Sequence, residues 1–343
     1  TCARTNQESQ ILMCGIYGIT AKDEAFIQNY ITTCSHRGPD GQGIWSDDSV
    51  TLGHNLLAIT ETNTQSQQPW KTPQGNILIY NGEIFNYFEL LDKYPNFLPK
   101  TTCDTELLAW GLDEHGIDFV QQIDSMHAFA YYVIQDKKIY LSRDHAGIKP
   151  LHYAEISEGI VFGSEIKGML DKVPNARKVD PMALSCFSMS GVNVTRNTFF
   201  TNIKKVLAGE TLVYDFVNKT LSTHSREIIF PHASESVDLE EFRSQMHNTV
   251  KMCAIGKRQI GVFLSGGIDS TMVAYELNKV QPPAWTFTNW INPKPKADED
   301  FNSDHMAAGV LAKDNSFNHT TVEITPDIYH SYWEDASYQI EQP

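Results

Sequence analysis

Residues 260–288 run strand, two-glycine turn, helix, strand, an order that closes as a parallel βαβ unit. The apolar run 260–264 reads as a buried strand, Ser265-Gly266-Gly267 as the turn, 270–279 as the helix and 284–288 as the returning strand. A helix over 301–312 and a strand over 319–324 extend this sheet, and a helical stretch over 239–251 precedes it. The first half has another texture. Short β-branched and aromatic runs at 77–80, 128–134, 139–141 and 160–162 read as strands, with a helix over 104–114 that Asp104 is placed to N-cap. Many strands with few helices predict a layered α+β domain. The polar, irregular text of 218–236, with Pro231 inside it, reads as a linker between a domain over 14–217 and another over 237–343. A chain of 343 residues is long enough for two such cores.

Acidic residues outnumber Lys and Arg by 42 to 27, a net charge of −15. That balance repels phosphate backbones and argues against nucleic acid as a partner. No apolar run reaches the ~18–20 residues of a membrane helix, and the polar first ten residues lack a signal-peptide core. The six cysteines form no CxxC pair and the histidines no HExxH pattern, so neither a metal site nor a disulfide framework is expected. Reduced thiols in a cytoplasmic enzyme, with no membrane partner, are the simplest reading.

The turn Leu264-Ser265-Gly266-Gly267-Ile268-Asp269-Ser270 carries chemistry of its own. Two glycines let backbone pass close to a ligand, and the N–H groups and positive dipole end of the following helix favour an anion. Ser265 and Ser270 add hydroxyl donors for phosphate oxygens. No Gly-Lys-Ser/Thr follows, so this is not the Walker loop. It is similar to the pyrophosphate loop of ATP pyrophosphatases, which adenylate a carboxylate.

At the other end, Met13-Cys14-Gly15-Ile16-Tyr17-Gly18-Ile19 sets a cysteine between a methionine and a strand. If translation starts at Met13 and the methionine is trimmed, the α-amine of Cys14, with a pKa of ~7.7–8.0, can take the thiol proton. Taken alone, Cys14 is more simply a buried small hydrophobe. Its company changes that. His36-Arg37-Gly38-Pro39-Asp40, Asn81-Gly82-Glu83-Ile84-Phe85-Asn86, Cys103-Asp104-Thr105-Glu106, Arg143-Asp144-His145-Ala146-Gly147-Ile148-Lys149-Pro150-Leu151 and Phe162-Gly163-Ser164-Glu165 follow in that order. With the Ser-Gly-Gly loop, they resemble glutamine-hydrolysing asparagine synthetase from residue 13 to residue 343.

The resemblance implies an N-terminal-nucleophile αββα sandwich followed by an incomplete parallel sheet of the ATP-pyrophosphatase type. It implies that Cys14 attacks the side-chain amide of glutamine, that Asn81 and Gly82 form the oxyanion hole, and that Glu83 and Asp104 hold the ammonium group. Leu56 and Ile59 fall at glutamine-contacting positions. Leu264, Ser265, Gly266, Gly267, Asp269, Ser270 and Asn289 would meet ATP, accompanied by Mg²⁺. Glutamine, aspartate and ATP would be the substrates, ammonia would pass between the sites through the interior, and a homodimer is left open.

Three departures stand out. The family's carboxylate-binding arginine, in Gly53-His54-Asn55-Leu56-Leu57-Ala58-Ile59, is replaced by Leu56, and the expectation is that another cation compensates, Arg37 and Lys71 being nearest in sequence. Residues 1–13 precede Cys14 and are expected to be absent from the mature protein. The chain stops at Pro343, before the family's second glycine-acidic loop. These departures keep two alternatives in view: the same chemistry on another carboxylate acceptor, and a degenerate, non-catalytic amidotransferase.

Overall fold

The structure, a computed structural model, describes residues 13–58, 66–225, 238–256, 259–292 and 302–342. The chain divides into two compact units, Thr1–Phe230 and Pro231–Pro343. The first contains, in order, β1 (Gly15–Ile19), α1 (Glu24–Thr33), β2 (Gly41–Ser46), β3 (Thr51–Leu56), β4 (Trp70–Lys71) and β5 (Ile77–Ile84). There follow α2 (Tyr87–Lys93), α3 (Asp104–His115), β6 (Ser125–Val133), β7 (Lys138–Arg143), β8 (His152–Ile156) and β9 (Gly159–Gly163). α4 (Pro181–Ser190), β10 (Lys204–Lys205), β11 (Glu210–Asp215) and β12 (Thr220–Ser225) complete it.

The strands form two six-stranded sheets, ordered β10-β8-β9-β1-β3-β2 and β12-β11-β7-β6-β5-β4, antiparallel throughout. Alternation along each strand decides the layers. Ile16 and Leu52 from one sheet meet Ile77, Ile79, Ala128 and Ala130 from the other in a core between the sheets. The intervening Tyr17 and Ile19 turn outward onto Ile27, Tyr30 and Ile31 of α1. Leu78 and Tyr80 likewise turn outward onto Leu107, Leu108 and Leu112 of α3. Helix, sheet, sheet, helix is the αββα sandwich the resemblance implied. α1 starts where Asp23 accepts the Phe26 N–H at 3.0 Å, and its buried residues recur at helical spacing.

Two expectations need correction. Residues 218–236 are not all linker: Thr220–Ser225 is a strand whose whole length pairs with β11, so ladder hydrogen bonding carries this unit to Ser225. The remainder of that stretch, 226–236, lies outside the described residues. Asp104 is not the N-cap of α3 either. Cys103 holds that position, and the Asp104 carboxylate reaches the Ile84 N–H and the Tyr80 hydroxyl, both at 3.0 Å.

The second unit opens with α5 (Leu239–Cys253), whose N-cap Asp238 accepts the Glu240 and Glu241 N–H groups. β13 (Gly261–Phe263), α6 (Ile268–Val280), β14 (Trp285–Ile291), α7 (Ser303–Asp314) and β15 (Asn318–Ile324) then build a three-stranded parallel sheet, β13-β14-β15, and α8 (Pro326–Ile340) follows. The strand expected to be buried is buried on one side only. Leu264 packs with Ala274 and Leu277 of α6 and Ala308 and Ala312 of α7, whereas Phe263, on the alternate face, is 82% exposed. Among the described residues, no helix is long and apolar enough to cross a membrane, and the five described cysteines form no disulfide with one another.

Candidate active site

The alternation that builds the sandwich also builds a pocket at the end of its inner layer. Cys14 shares the face of Ile16, Leu56 that of Leu52, and Asn81 and Glu83 that of Ile77 and Ile79, so all four side chains arrive at one mouth. The pocket is lined by Cys14, Leu56, Asn81, Gly82, Glu83 and Asp104, with Gln68, Tyr80 and Lys149 among the remainder. Asp104 enters from the helix layer, around the end of β5. Ile59 lies outside the described residues.

Each wall is fixed by a motif. The Arg37 guanidinium donates from Nε to the Cys14 carbonyl at 3.0 Å and from Nη1 to Glu165 at 2.9 Å. Burial works against the Glu165 charge, but His36, Arg37 and Lys167 around it hold its carboxyl well below the usual range. Gly38 lies flat on β3, where a side chain would stand 2.5 Å from the Asn55 backbone. Asp40 then accepts the Ala58 N–H at 2.8 Å. That contact sets the exit of β3, whose Leu57 N–H points at the Cys14 sulfur from 3.3 Å. On β5, Gln68 mimics a neighbouring strand, accepting the Tyr80 N–H at 2.6 Å and donating to its carbonyl at 3.1 Å. Buried His54, its pKa pulled down to about 4 by desolvation, approaches the same carbonyl at 3.2 Å.

Asn81 is 1% exposed and its Nδ2 has no hydrogen-bond partner. An amide donor buried without an acceptor is costly, and here it lines a pocket. Beside it, a side chain on Gly82 would stand 2.4 Å from the Met126 carbonyl, so only glycine keeps this backbone in place. The Cys14 thiol is pushed up by burial, against which the Leu57 N–H, then Lys149, then Arg37 act. Burial, and then the charge of Asp104, push Glu83 up to about 7. Asp104 is also raised by burial, although the Ile84 N–H and the Tyr80 hydroxyl oppose it. Two carboxyls that resist ionising together form a site for a cation.

That pair predicts a pH dependence. If Glu83 holds the ammonium of glutamine, as the resemblance implies, glutamine KM should rise as pH falls through about 7, by roughly tenfold per pH unit for one proton. In the free protein the sign is opposite. The fold prefers protonated Glu83, whose contribution is complete below the ordinary carboxyl range and is lost as pH rises through about 7. Glu83→Gln should therefore gain in Tm over the parent only on the alkaline side while losing the pH dependence of KM. A KM profile for the parent that is flat from about pH 5.5 to 8.5 would contradict this role.

Neither of the two cations nearest Leu56 in sequence is among the residues lining the pocket. Arg37 spends Nε and Nη1 on the Cys14 carbonyl and Glu165 while its buried Nη2 has no hydrogen-bond partner among the described residues, and Lys71 is exposed on β4. Sequence reasoning gave no role to Lys149 or Gln68. Lys149 was visible only as part of the Arg143–Leu151 motif, and Gln68 carried no local signal.

In the second unit, the expected loop residues do meet. Gly266 takes a φ of +80°, and a side chain there would stand 2.5 Å from the Ala307 Cβ, so conformation and packing both require glycine. The Ser265 and Ser270 hydroxyls lie 3.0 Å apart, and Ser270 Oγ donates to the Gly267 carbonyl at 3.2 Å. Ser265, Gly267 and Asp269 are exposed around the start of α6, while Leu264 is buried beneath them. Asn289 is exposed toward the same C-terminal end of the sheet, one strand over, since Phe263 pairs with Phe287 in parallel register.

Residues 13–225 match the glutamine amidotransferase domain family, and residues 241–343 match asparagine synthase. A protein named asparagine synthetase [glutamine-hydrolyzing] 2 from Bacillus subtilis is 32% identical over 286 residues, covering 77% of this chain and 38% of that one. A putative asparagine synthetase [glutamine-hydrolyzing] 2 of Methanocaldococcus jannaschii is 28% identical over 289 residues, 76% of this chain and 56% of that one. The chain thus spans about half the length of these relatives, or less. Among solved structures, the glutamine phosphoribosylpyrophosphate amidotransferase of B. subtilis aligns with a TM-score of 0.46 at 15% identity, over 85% of this chain and 70% of that one. With more than half of its length matched by the first of these family models, the chain belongs to the glutamine amidotransferase domain family, with asparagine synthase sequence following from residue 241.

Proposed function

We propose that the first unit hydrolyses glutamine to glutamate and ammonia at Cys14, and that the second takes part in ATP-dependent amidation of aspartate to asparagine. The observation that carries the first half is the unpartnered Asn81 Nδ2, buried in the same pocket as a thiol and a pair of carboxyls. In this reading Glu83 and Asp104 grip the ammonium of glutamine. Cys14 Sγ adds to the amide carbon, and the oxyanion receives the Asn81 Nδ2–H and Gly82 N–H donors. With the Met13–Cys14 peptide bond cleaved, the freed α-amine takes the thiol proton and passes it to the departing nitrogen, which leaves as ammonia. Water then opens the thioester to glutamate and restores the thiol.

The Ser265–Ser270 loop fits a polyphosphate, because hydroxyls and a helix N-terminus stand exposed together. ATP, as substrate, would supply a pyrophosphate leaving group for the acceptor carboxylate. Mg²⁺ would enter this reading with the phosphates of ATP, whose hard oxygens suit it. Cytoplasmic location and a homodimer belong to the same proposal. Leu56 favours a second reading, a divergent member acting on another carboxylate acceptor.

One experiment tests the glutaminase half and the part Leu56 plays in it. Protein beginning at Cys14 should release glutamate from glutamine, and Leu56→Arg should lower the glutamine KM about tenfold or more by supplying a charge-assisted fork for the α-carboxylate. No glutamate release would overturn the proposal. An unchanged KM would mean that the carboxylate is already paired.

A further inference from the structure

Lys149 lies in a loop pinned from both sides. Arg143 donates to the Lys149 and Gly147 carbonyls, each at 2.7 Å. Asp144, fully buried, accepts the N–H groups of Ala146, Ile148 and Lys149 at 2.9–3.1 Å. So much local bonding fixes where the Lys149 side chain goes, which is into the Cys14 pocket. Lys149 is 6% exposed, yet its Nζ faces the Met13 sulfur at 3.6 Å. A buried ammonium facing a thioether has exchanged water for a very weak acceptor. Such a group is waiting for an anion.

The charged and titratable neighbours identify that anion. Around Lys149 stand Cys14, Arg37, Glu83 and Asp144, and around Cys14 stand Lys149, Arg37 and Asp104. Arg37 is engaged by Glu165, and Asp144 by the loop N–H groups. Glu83 and Asp104 form the ammonium end of the pocket, and the α-carboxylate of an amino acid is bonded to the same carbon as that ammonium. Lys149 is placed toward Met13 and Cys14, with Glu83 as a further neighbouring charge.

We propose that Lys149 is the counter-charge that favours the Cys14 thiolate once the thiol proton is taken, a positioning role that rests on Cys14 being the glutaminase nucleophile. Lys149 keeps its own proton throughout, and the thiol proton leaves to the α-amine or to water. Burial raises the thiol and lowers the ammonium; of the charges acting on each, the other is the strongest that restores it.

The test needs no turnover, so it is read independently of whether glutamine is hydrolysed. The rate of Cys14 alkylation by iodoacetamide is followed against pH by peptide-resolved mass spectrometry, because Cys253 is exposed and Cys186 partly so. Lys149→Met, close in length and uncharged, should raise the apparent Cys14 pKa by about one unit or more and slow alkylation near pH 7 about tenfold. Lys149→Arg, which keeps the charge, should stay near the parent, and a melting curve for each variant checks the fold. An unchanged pKa in Lys149→Met, or the same shift in Lys149→Arg, overturns the proposal. So does an unchanged pKa with a tenfold higher glutamine KM, which would make Lys149 the carboxylate anchor.

Discussion

Cys14→Ala should abolish glutamine hydrolysis, with a loss of roughly 10³- to 10⁶-fold in kcat, the range seen when a covalent nucleophile is removed. Stability should barely change. Cys14 is only partly buried, and its sulfur contacts the Leu57 backbone rather than the apolar core. Alanine keeps the Cβ and leaves the Arg37 contact to the Cys14 carbonyl intact. The shift in unfolding free energy should therefore stay within about 1 kcal/mol. The measurement pairs a glutamate-release assay with a thermal melt. Hydrolysis persisting above a hundredth of the parent rate in a folded Cys14→Ala protein would remove Cys14 from the mechanism.

Asn81→Ala is the second large effect, and its signature separates oxyanion stabilisation from substrate binding. The Asn81 Nδ2 has no acceptor in the free protein, so its best partner is one that appears only as the amide carbonyl becomes an oxyanion. Losing one such donor costs about 10²–10³ in kcat, or ~2.7–4 kcal/mol, with little change in KM. Because truncation also removes a buried unsatisfied group, Asn81→Ala should be as stable as the parent or slightly more so. A variant with unchanged kcat and raised KM would make Asn81 a ground-state contact, and the oxyanion would need another donor. Gly82 cannot be examined by the same route, since any side chain there meets the Met126 carbonyl and the Tyr80 ring.

Once the resemblance had put the candidates forward, local spacing accounts for part of how they come together. Asn81 and Glu83 lie two residues apart on a strand and must share a face, and the Ser265–Ser270 turn must present its N–H groups at a helix start. What failed was whatever depended on a distant partner. Asp104 reads as a helix cap, yet the fold brings Ile84 and Tyr80 within 3.0 Å of its carboxylate. Residues 220–225 read as linker, yet β11 supplies a ladder for them. Phe263 reads as buried, yet only the opposite face of its strand meets α6 and α7.

The sequence by itself determined the two-unit order and the parallel unit after residue 260, and its resemblance to a known family put forward Cys14, Asn81 and Gly82 as candidate nucleophile and oxyanion donors. The first two follow from hydrophobic periodicities of two and 3.6 residues and from turn residues, whereas the candidates come from ordered motifs that only the resemblance interprets. Only the tertiary structure decided which charges share a desolvated pocket. Arg37 bonds to Glu165 across 128 positions, and Lys149 reaches Met13 across 136. The interaction of two charges depends on their separation in space and on the water excluded around them, and neither is encoded in their separation along the chain.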